Sequence, residues 1–235
     1  MIDKPFLTAQ AIRWQTGQRN VIREYCQHAF LSALYKQRRA DHLFFKGGTA
    51  LRILFESPRF SEDLDFSSRI HSVSTLETIV QEVLVHLAHE GIPLDISEAK
   101  PTTGGYLFTA DVTLFGTAFS IKLNVVMKPH CSGETHMVNS IFLPPYAVTA
   151  LARKDITREK VRAFLTRTKP RDIFDLYFLL RSSWAHHSVV SYTRDIKRVL
   201  ETKDLTLPQL QEFLPQSFWP VIKHIKNNIA VELDK

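Results

Sequence analysis

Cysteine is nearly absent: Cys26 and Cys131 are the only two in 235 residues. Neither stands in a Cys-x-x-Cys pair, which argues against a disulfide framework and against a cysteine zinc site. Cys26 falls on the apolar side of a helical pattern, where a thiol packs as a small hydrophobe. No stretch approaches the roughly 20 apolar residues that cross a bilayer. Met1-Ile2-Asp3-Lys4-Pro5 lacks the apolar segment of a signal peptide. No membrane partner and a cytoplasmic location are therefore expected. Internal repeats and low-complexity tracts are also missing. With 44% hydrophobic and 23% charged residues, the chain has what a packed core needs, and disorder is not expected. Its length suits one domain or two compact lobes. Charge is unbalanced: the formal net charge is +6 and the pI about 9.3, which favours a polyanionic partner. Basic residues recur in Lys36-Gln37-Arg38-Arg39 and between Arg153 and Arg171.

Periodicity gives the order of elements. Thr8 can cap a short first helix. Val21, Ile22, Tyr25, Ala29, Phe30, Ala33 and Leu34 then recur at helical spacing over about Thr16 to Arg38. A short strand over Leu43, Phe44 and Phe45 leads to a helix from Thr49 to Glu56, stopped by Pro58. Ser74-Thr75-Leu76-Glu77 fits a capping box, and the helix it starts runs to Gly91. From Leu94 to Phe142 the period falls to two, with a turn at Gly116-Thr117 between two strands. Pro144-Pro145 marks a lobe boundary, giving units of 1–143 and 144–235. Everything beyond it is expected to be helical: about Tyr146 to Arg153, Thr157 to Leu165, Asp172 to Leu180, and further helices near Val189 to Leu200, Leu207 to Leu214 and Phe218 to Val231. Trp184-Ala185-His186-His187 has the residue types of a metal or stacking site, but adjacent histidines on a helix diverge, so a surface loop is expected.

The chemistry concentrates between Phe45 and Ser67. Asp63 and Asp65 stand two apart in a strand pattern, so both carboxylates project from one face while Leu64 and Phe66 point into a core. Two parallel carboxylates repel and call for a cation between them, Mg2+ or Mn2+. The Gly47-Gly48 turn permits close backbone approach, and a helix beginning at Thr49 would offer its N–H groups to a phosphate. Metal-dependent nucleotidyl transfer needs these parts, because that reaction is chiefly positioning and charge neutralisation.

Lys46-Gly47-Gly48-Thr49-Ala50-Leu51 followed by Arg59-Phe60-Ser61-x-Asp63-Leu64-Asp65-Phe66 resembles the signature of the nucleotidyltransferase toxins of the AbiEii and AbiGii type. Two later blocks agree: Glu159-Lys160-Val161-Arg162-Ala163, and Pro170-Arg171-Asp172-Ile173-Phe174-Asp175-Leu176-Tyr177. The resemblance implies a mixed α/β fold, a small mixed sheet flanked by helices, followed by an all-helical lobe. It further implies transfer of NMP from an NTP to an acceptor, with a tRNA 3′ end among the acceptors the family uses, and a cognate antitoxin that is often a DNA-binding repressor. Asp63 and Asp65 would hold the metal. Lys46, Gly47, Gly48, Thr49, Arg59, Ser61 and Asn124 would meet the nucleotide. Lys160 would neutralise phosphate charge, and Asp172 or Asp175 would position Lys160 or activate the acceptor. One departure stands out: Asn124 occupies the place of the family's third carboxylate, so a catalytically weak, nucleotide-binding regulator is an alternative. Modification of a small molecule, as by antibiotic nucleotidyltransferases, is another.

Overall fold

A computed structural model of the protein describes residues 2–203 and 207–235. The chain divides into two compact units, one comprising Met1–Glu56 and Phe60–Leu151, the other Ser57–Arg59 and Ala152–Lys235.

The first unit is built on a seven-stranded mixed sheet, with strands in the order β3-β4-β5-β2-β1-β7-β6. These are β1 (Leu43–Lys46), β2 (Asp63–Ser68), β3 (Asp95–Thr102), β4 (Gly105–Leu114), β5 (Thr117–Met127), β6 (Gly133–Val138) and β7 (Tyr146–Leu151). The helices are α1 (Lys4–Arg13), α2 (Gln18–Leu34), α3 (Gly47–Phe55) and α4 (Val73–His89). Register carries the expected alternation across strands. Phe45, Phe66 and Val125 line up as neighbours, as do Leu64, Leu123 and Phe108, and all six are buried. α2 and α4 contact the sheet through β5 and β4. Between β4 and β5 the turn consists of Phe115 and Gly116, both at positive φ (54° and 80°), the geometry that matches hairpin twist.

Several boundaries differ from expectation. Asp3, not Thr8, caps α1, accepting the Phe6 N–H at 2.9 Å; the Thr8 hydroxyl instead donates to the Lys4 carbonyl at 3.0 Å. α4 is capped by Ser72 rather than Ser74. α3 ends at Phe55, before Pro58 takes effect, because Glu56 turns left-handed (φ 60°). The largest correction concerns Tyr146 to Leu151, expected to be helical. They form β7, which pairs parallel with β1 and antiparallel with β6. Tyr146, Val148 and Ala150 face inward while Ala147 and Thr149 face out or are half-buried, a period of two. The Tyr35 hydroxyl fastens the strand, lying 2.7 Å from the Leu43 carbonyl and 2.8 Å from that of Thr149. The sheet unit therefore runs on to Leu151, past the Pro144-Pro145 pair.

The second unit is helical from Ala152 onward: α5 (Arg153–Thr166), α6 (Pro170–Leu180), α7 (His186–Val190), α8 (Thr193–Thr202), α9 (Trp219–Lys223) and α10 (Ile225–Leu233), with 3-10 turns at Pro208–Phe213 and Gln216–Phe218. α6 is its centre; Ile173, Phe174, Leu176, Leu179 and Leu180 are all buried, and the helix contacts α5, α7 and α10. His186 opens α7 and binds the Leu180 carbonyl at 2.6 Å, so it closes a helix junction. Among the described residues, no helix is long and apolar enough to cross a membrane.

Candidate active site

In the sheet unit, β1, β2 and β5 lie side by side, and their register aligns Lys46 with Asp65 and Asp65 with Asn124. One step along, Asp63 is opposite Lys122. Directly paired residues share a face, so these five form two polar rows on the face opposite Phe45, Leu64 and Phe66. Asp63 and Asp65 are both half-buried, reachable yet partly shielded from water.

β1 ends where the site begins. Gly47 starts α3 at φ +84°, a conformation that L side chains rarely adopt. A Cβ at this position would stand 2.9 Å from the Asp65 Cβ and closer still to its Oδ2. The turn therefore needs glycine twice over, for its dihedral and because the Asp65 carboxylate occupies the space of the missing side chain. The next residues, Gly48 and Thr49, are buried in the first turn of α3. The Thr49 hydroxyl donates to the Asp63 carbonyl, tying the helix start to the strand that carries the acids. The N-cap residue of α3, Lys46, makes no side-chain cap hydrogen bond, and the first N–H groups of a helix have anion-binding character.

Asn124 does not act as a mere substitute for a carboxylate. Its Nδ2 donates to Asp65 Oδ1 at 3.1 Å, which orients the aspartate while adding no negative charge. Ser61 precedes β2, and the Gln27 amide donates to its carbonyl at 2.9 Å and to that of Glu62 at 3.1 Å, so α2 holds the segment leading into the acidic strand. Lys122 and Gln27 went unrecognised in the sequence; only strand pairing and tertiary contact bring them to this place.

The donor set suits a hard divalent cation. Among the described residues no group of three or more His, Cys, Asp or Glu side chains is placed to hold a metal. Two carboxylates with an adjacent amide nevertheless match Mg2+, which is commonly held by one or two carboxylates plus substrate phosphates and water.

The remaining candidates belong to the helical unit, where three of them meet. Arg59 grips Asp175 with both arms of its guanidinium, Nε to Oδ1 at 2.8 Å and Nη2 to Oδ2 at 3.0 Å. Lys160 Nζ donates to the same Oδ2 at 2.6 Å. Asp175 is fully buried. Burial alone would raise its carboxyl, but the Arg59 and Lys160 charges and their hydrogen bonds outweigh that and hold it at about 2. Asp172 is engaged elsewhere: it takes Arg167 at 2.7 Å on each oxygen and accepts the Lys169 N–H at 3.1 Å, closing the start of α6. Of the two acids left open by the sequence, Asp175 is the one hydrogen-bonded to Lys160.

A profile of the family "Nucleotidyl transferase AbiEii toxin, Type IV TA system" matches residues 29–226. The chain belongs to this family. The AbiEii match spans both units and the residues from Lys46 to Asp175 described above; Gln27 lies just before it. Solved structures share the fold at low identity. JHP933 from Helicobacter pylori superposes with a TM-score of 0.67 at 19% identity, over 93% of this chain and 92% of that one. MenT4, a nucleotidyltransferase toxin from Mycobacterium tuberculosis, gives 0.64 at 16% identity, over 100% of this chain and 91% of its own. No curated protein sequence matches. The mixed sheet flanked by helices is thus a nucleotidyltransferase-toxin fold, as the signature around Asp63 and Asp65 implies.

Proposed function

We propose that this AbiEii-family toxin transfers a nucleotide from an NTP to a hydroxyl of an RNA acceptor in the cytoplasm, and that a cognate antitoxin restrains it. The observation that carries this reading is the meeting of Asp65 with Gly47: a carboxylate is seated against the start of a helix, with a second carboxylate two residues away on the same strand face.

In this reading Asp63 and Asp65 hold Mg2+ or Mn2+, which supplies charge neutralisation for the triphosphate and for the leaving pyrophosphate. Asn124 keeps Asp65 in its productive rotamer. Gly47, Gly48 and Thr49 present backbone N–H groups to phosphate oxygens, and Lys46, in register with Asp65, adds a positive charge to the same row. The acceptor oxygen bonds to the α-phosphorus as the bond to the bridging oxygen breaks; pyrophosphate leaves with that electron pair and the hydroxyl proton passes to solvent. Lys160, oriented by Asp175, is assigned to phosphate charge as the family signature implies. Arg59 fixes Asp175 and so acts at one remove.

The test is incubation with each α-labelled NTP, Mg2+ and total RNA. Label should enter RNA with one NTP preferred, vanish with chelator, and fall by at least about 100-fold in Asp63→Ala and Asp65→Ala. Label appearing only on small hydroxylated compounds would overturn the RNA acceptor. One feature favours a second reading: the Asn124 amide adds no charge beside Asp65, which suits nucleotide binding without turnover. Tight NTP binding with no label transferred under any condition would establish that reading instead.

A further inference from the structure

The helical unit contains a pocket of about 240 Å3 lined by Pro58, Phe174, Tyr177, Phe178, Arg181, Ser182 and Phe218. That volume lies below the roughly 300 Å3 at which pockets for drug-sized ligands begin, so it suits one planar ring system. Its walls are mostly aromatic. Phe174 meets Tyr177 and Phe218 edge-on, at centroid distances of 6.2 and 6.3 Å. Arg181 lies 5.6 Å from the Tyr177 ring centroid, donates to the Tyr177 hydroxyl at 3.0 Å and stands 3.7 Å from a Glu232 carboxylate oxygen, while more than half of its side chain remains exposed. An aromatic floor beside a partly exposed guanidinium is the combination on which an unpaired base stacks while its phosphate meets a cation. Charge points the same way. The helical unit holds 17 Lys and Arg against 10 Asp and Glu, whereas the sheet unit holds 13 against 14. The basic surplus of the chain therefore resides in the unit that contains this pocket.

We infer that this pocket is a subsite for a single unpaired nucleobase of a nucleic-acid strand bound by the helical unit. The inference rests on the RNA-acceptor reading above for its biological setting, but binding and transfer are separable. Phe178 and Arg181 are the informative positions, the first half-buried and the second exposed, so both can change with little effect on the core.

Binding of a labelled single-stranded RNA of about 12 nucleotides is measured by fluorescence anisotropy without NTP, on the full chain, with thermal unfolding as the control for folding. Phe178→Leu and Arg181→Gln should each weaken binding by about 10-fold, and Phe178→Trp should retain it. A fully paired RNA duplex and inorganic polyphosphate, which offer no free base, should bind Phe178→Leu and the unaltered chain alike, while Arg181→Gln, which loses a phosphate contact, should weaken on both. Equal affinity of the variants for the single strand, or a loss by Phe178→Leu on polyphosphate equal to its loss on the single strand, would overturn the subsite. Label transfer by the unaltered chain is read separately. If it is absent, the transferase reading fails while the subsite stands; if it is present and the RNA affinities do not change, only the subsite fails.

Discussion

At the scale of single residues, Gly47 separates two roles that a glycine can have. Gly104 shares its left-handed backbone, at φ +80°, but has open space where a Cβ would go, whereas at Gly47 the Asp65 carboxylate fills that space. Alanine at either position meets backbone strain of about 1–3 kcal/mol. Only at Gly47 must it also displace the Asp65 carboxylate. Gly104→Ala should therefore lower the melting temperature and leave label transfer within about 3-fold of normal, while Gly47→Ala should lose at least about 100-fold of it. Equal activity of the two variants at matched folded fraction would remove Gly47 from the site. The shared face of Asp63 and Asp65 is legible in the sequence, because a period of two fixes it locally. The partner of Asp65 is not: Asn124 lies 59 residues away, and nothing short of the parallel pairing of β2 with β5 reveals whether its amide donates to the acid or replaces one.

The same divide between local and distant information runs through the elements. A Pro-Arg-Asp start marks α6 clearly, but Asp172 and Asp175 lie on one side of it, and their division of labour depends on Arg59, 116 positions from Asp175. β7 shows the opposite failure. Its six residues include two alanines, weak strand formers, beside Tyr146, Val148 and Thr149, which favour strands, and β1 and β6 flank it. α2 is legible as a helix, yet its buried polar residues are not: Glu24 pairs with Arg52 at 2.8 Å, and His28 meets the Tyr146 hydroxyl on β7 at 2.6 Å. Of these groups, His28 adds to the acid sensitivity of the fold. Burial, aided by the Arg52 charge, lowers His28 from 6.5 to about 3, so the unfolded chain binds its proton first. Stability from His28 is full above pH 6.5 and declines as pH falls toward 3, by up to about 1.4 kcal/mol per unit. Asp175, depressed from 3.8 to about 2, has the same sign; its contribution is full above pH 3.8 and lost as pH falls to 2. Melting temperature should thus fall in two stages, the first beginning near pH 6.5. In His28→Gln, which cannot titrate, the first stage should flatten and the second persist. An unchanged slope between pH 6.5 and 4.5 would show that His28 is not its source.

Across the whole molecule, charge is segregated while its total is modest. The net +6 of the chain divides into +7 for the helical unit and −1 for the sheet unit, from the residue counts of each. The acidic pair and the polyanion-attracting surplus thus belong to different units. Of the two basic runs in the sequence, Lys36 to Arg39 belongs to a unit with no surplus, and Arg153 to Arg171 to the unit that has it. Phosphate contacts release counterions, so log affinity falls linearly with log salt, and each contact removed lowers the slope by roughly 0.7 on a single strand. Arg162, Lys169 and Arg171 are exposed, as are Lys36, Arg38 and Arg39, so either trio can be reversed without disturbing a core. Reversing the first trio to glutamate should weaken binding of single-stranded RNA by at least about 10-fold at low salt and lower the slope by roughly 1–2. Reversing the second should change affinity by less than about 3-fold, the long-range share that screening removes at moderate salt. If both reversals gave the same loss, RNA would be responding to net charge alone, and the helical unit would have no claim to be its docking surface.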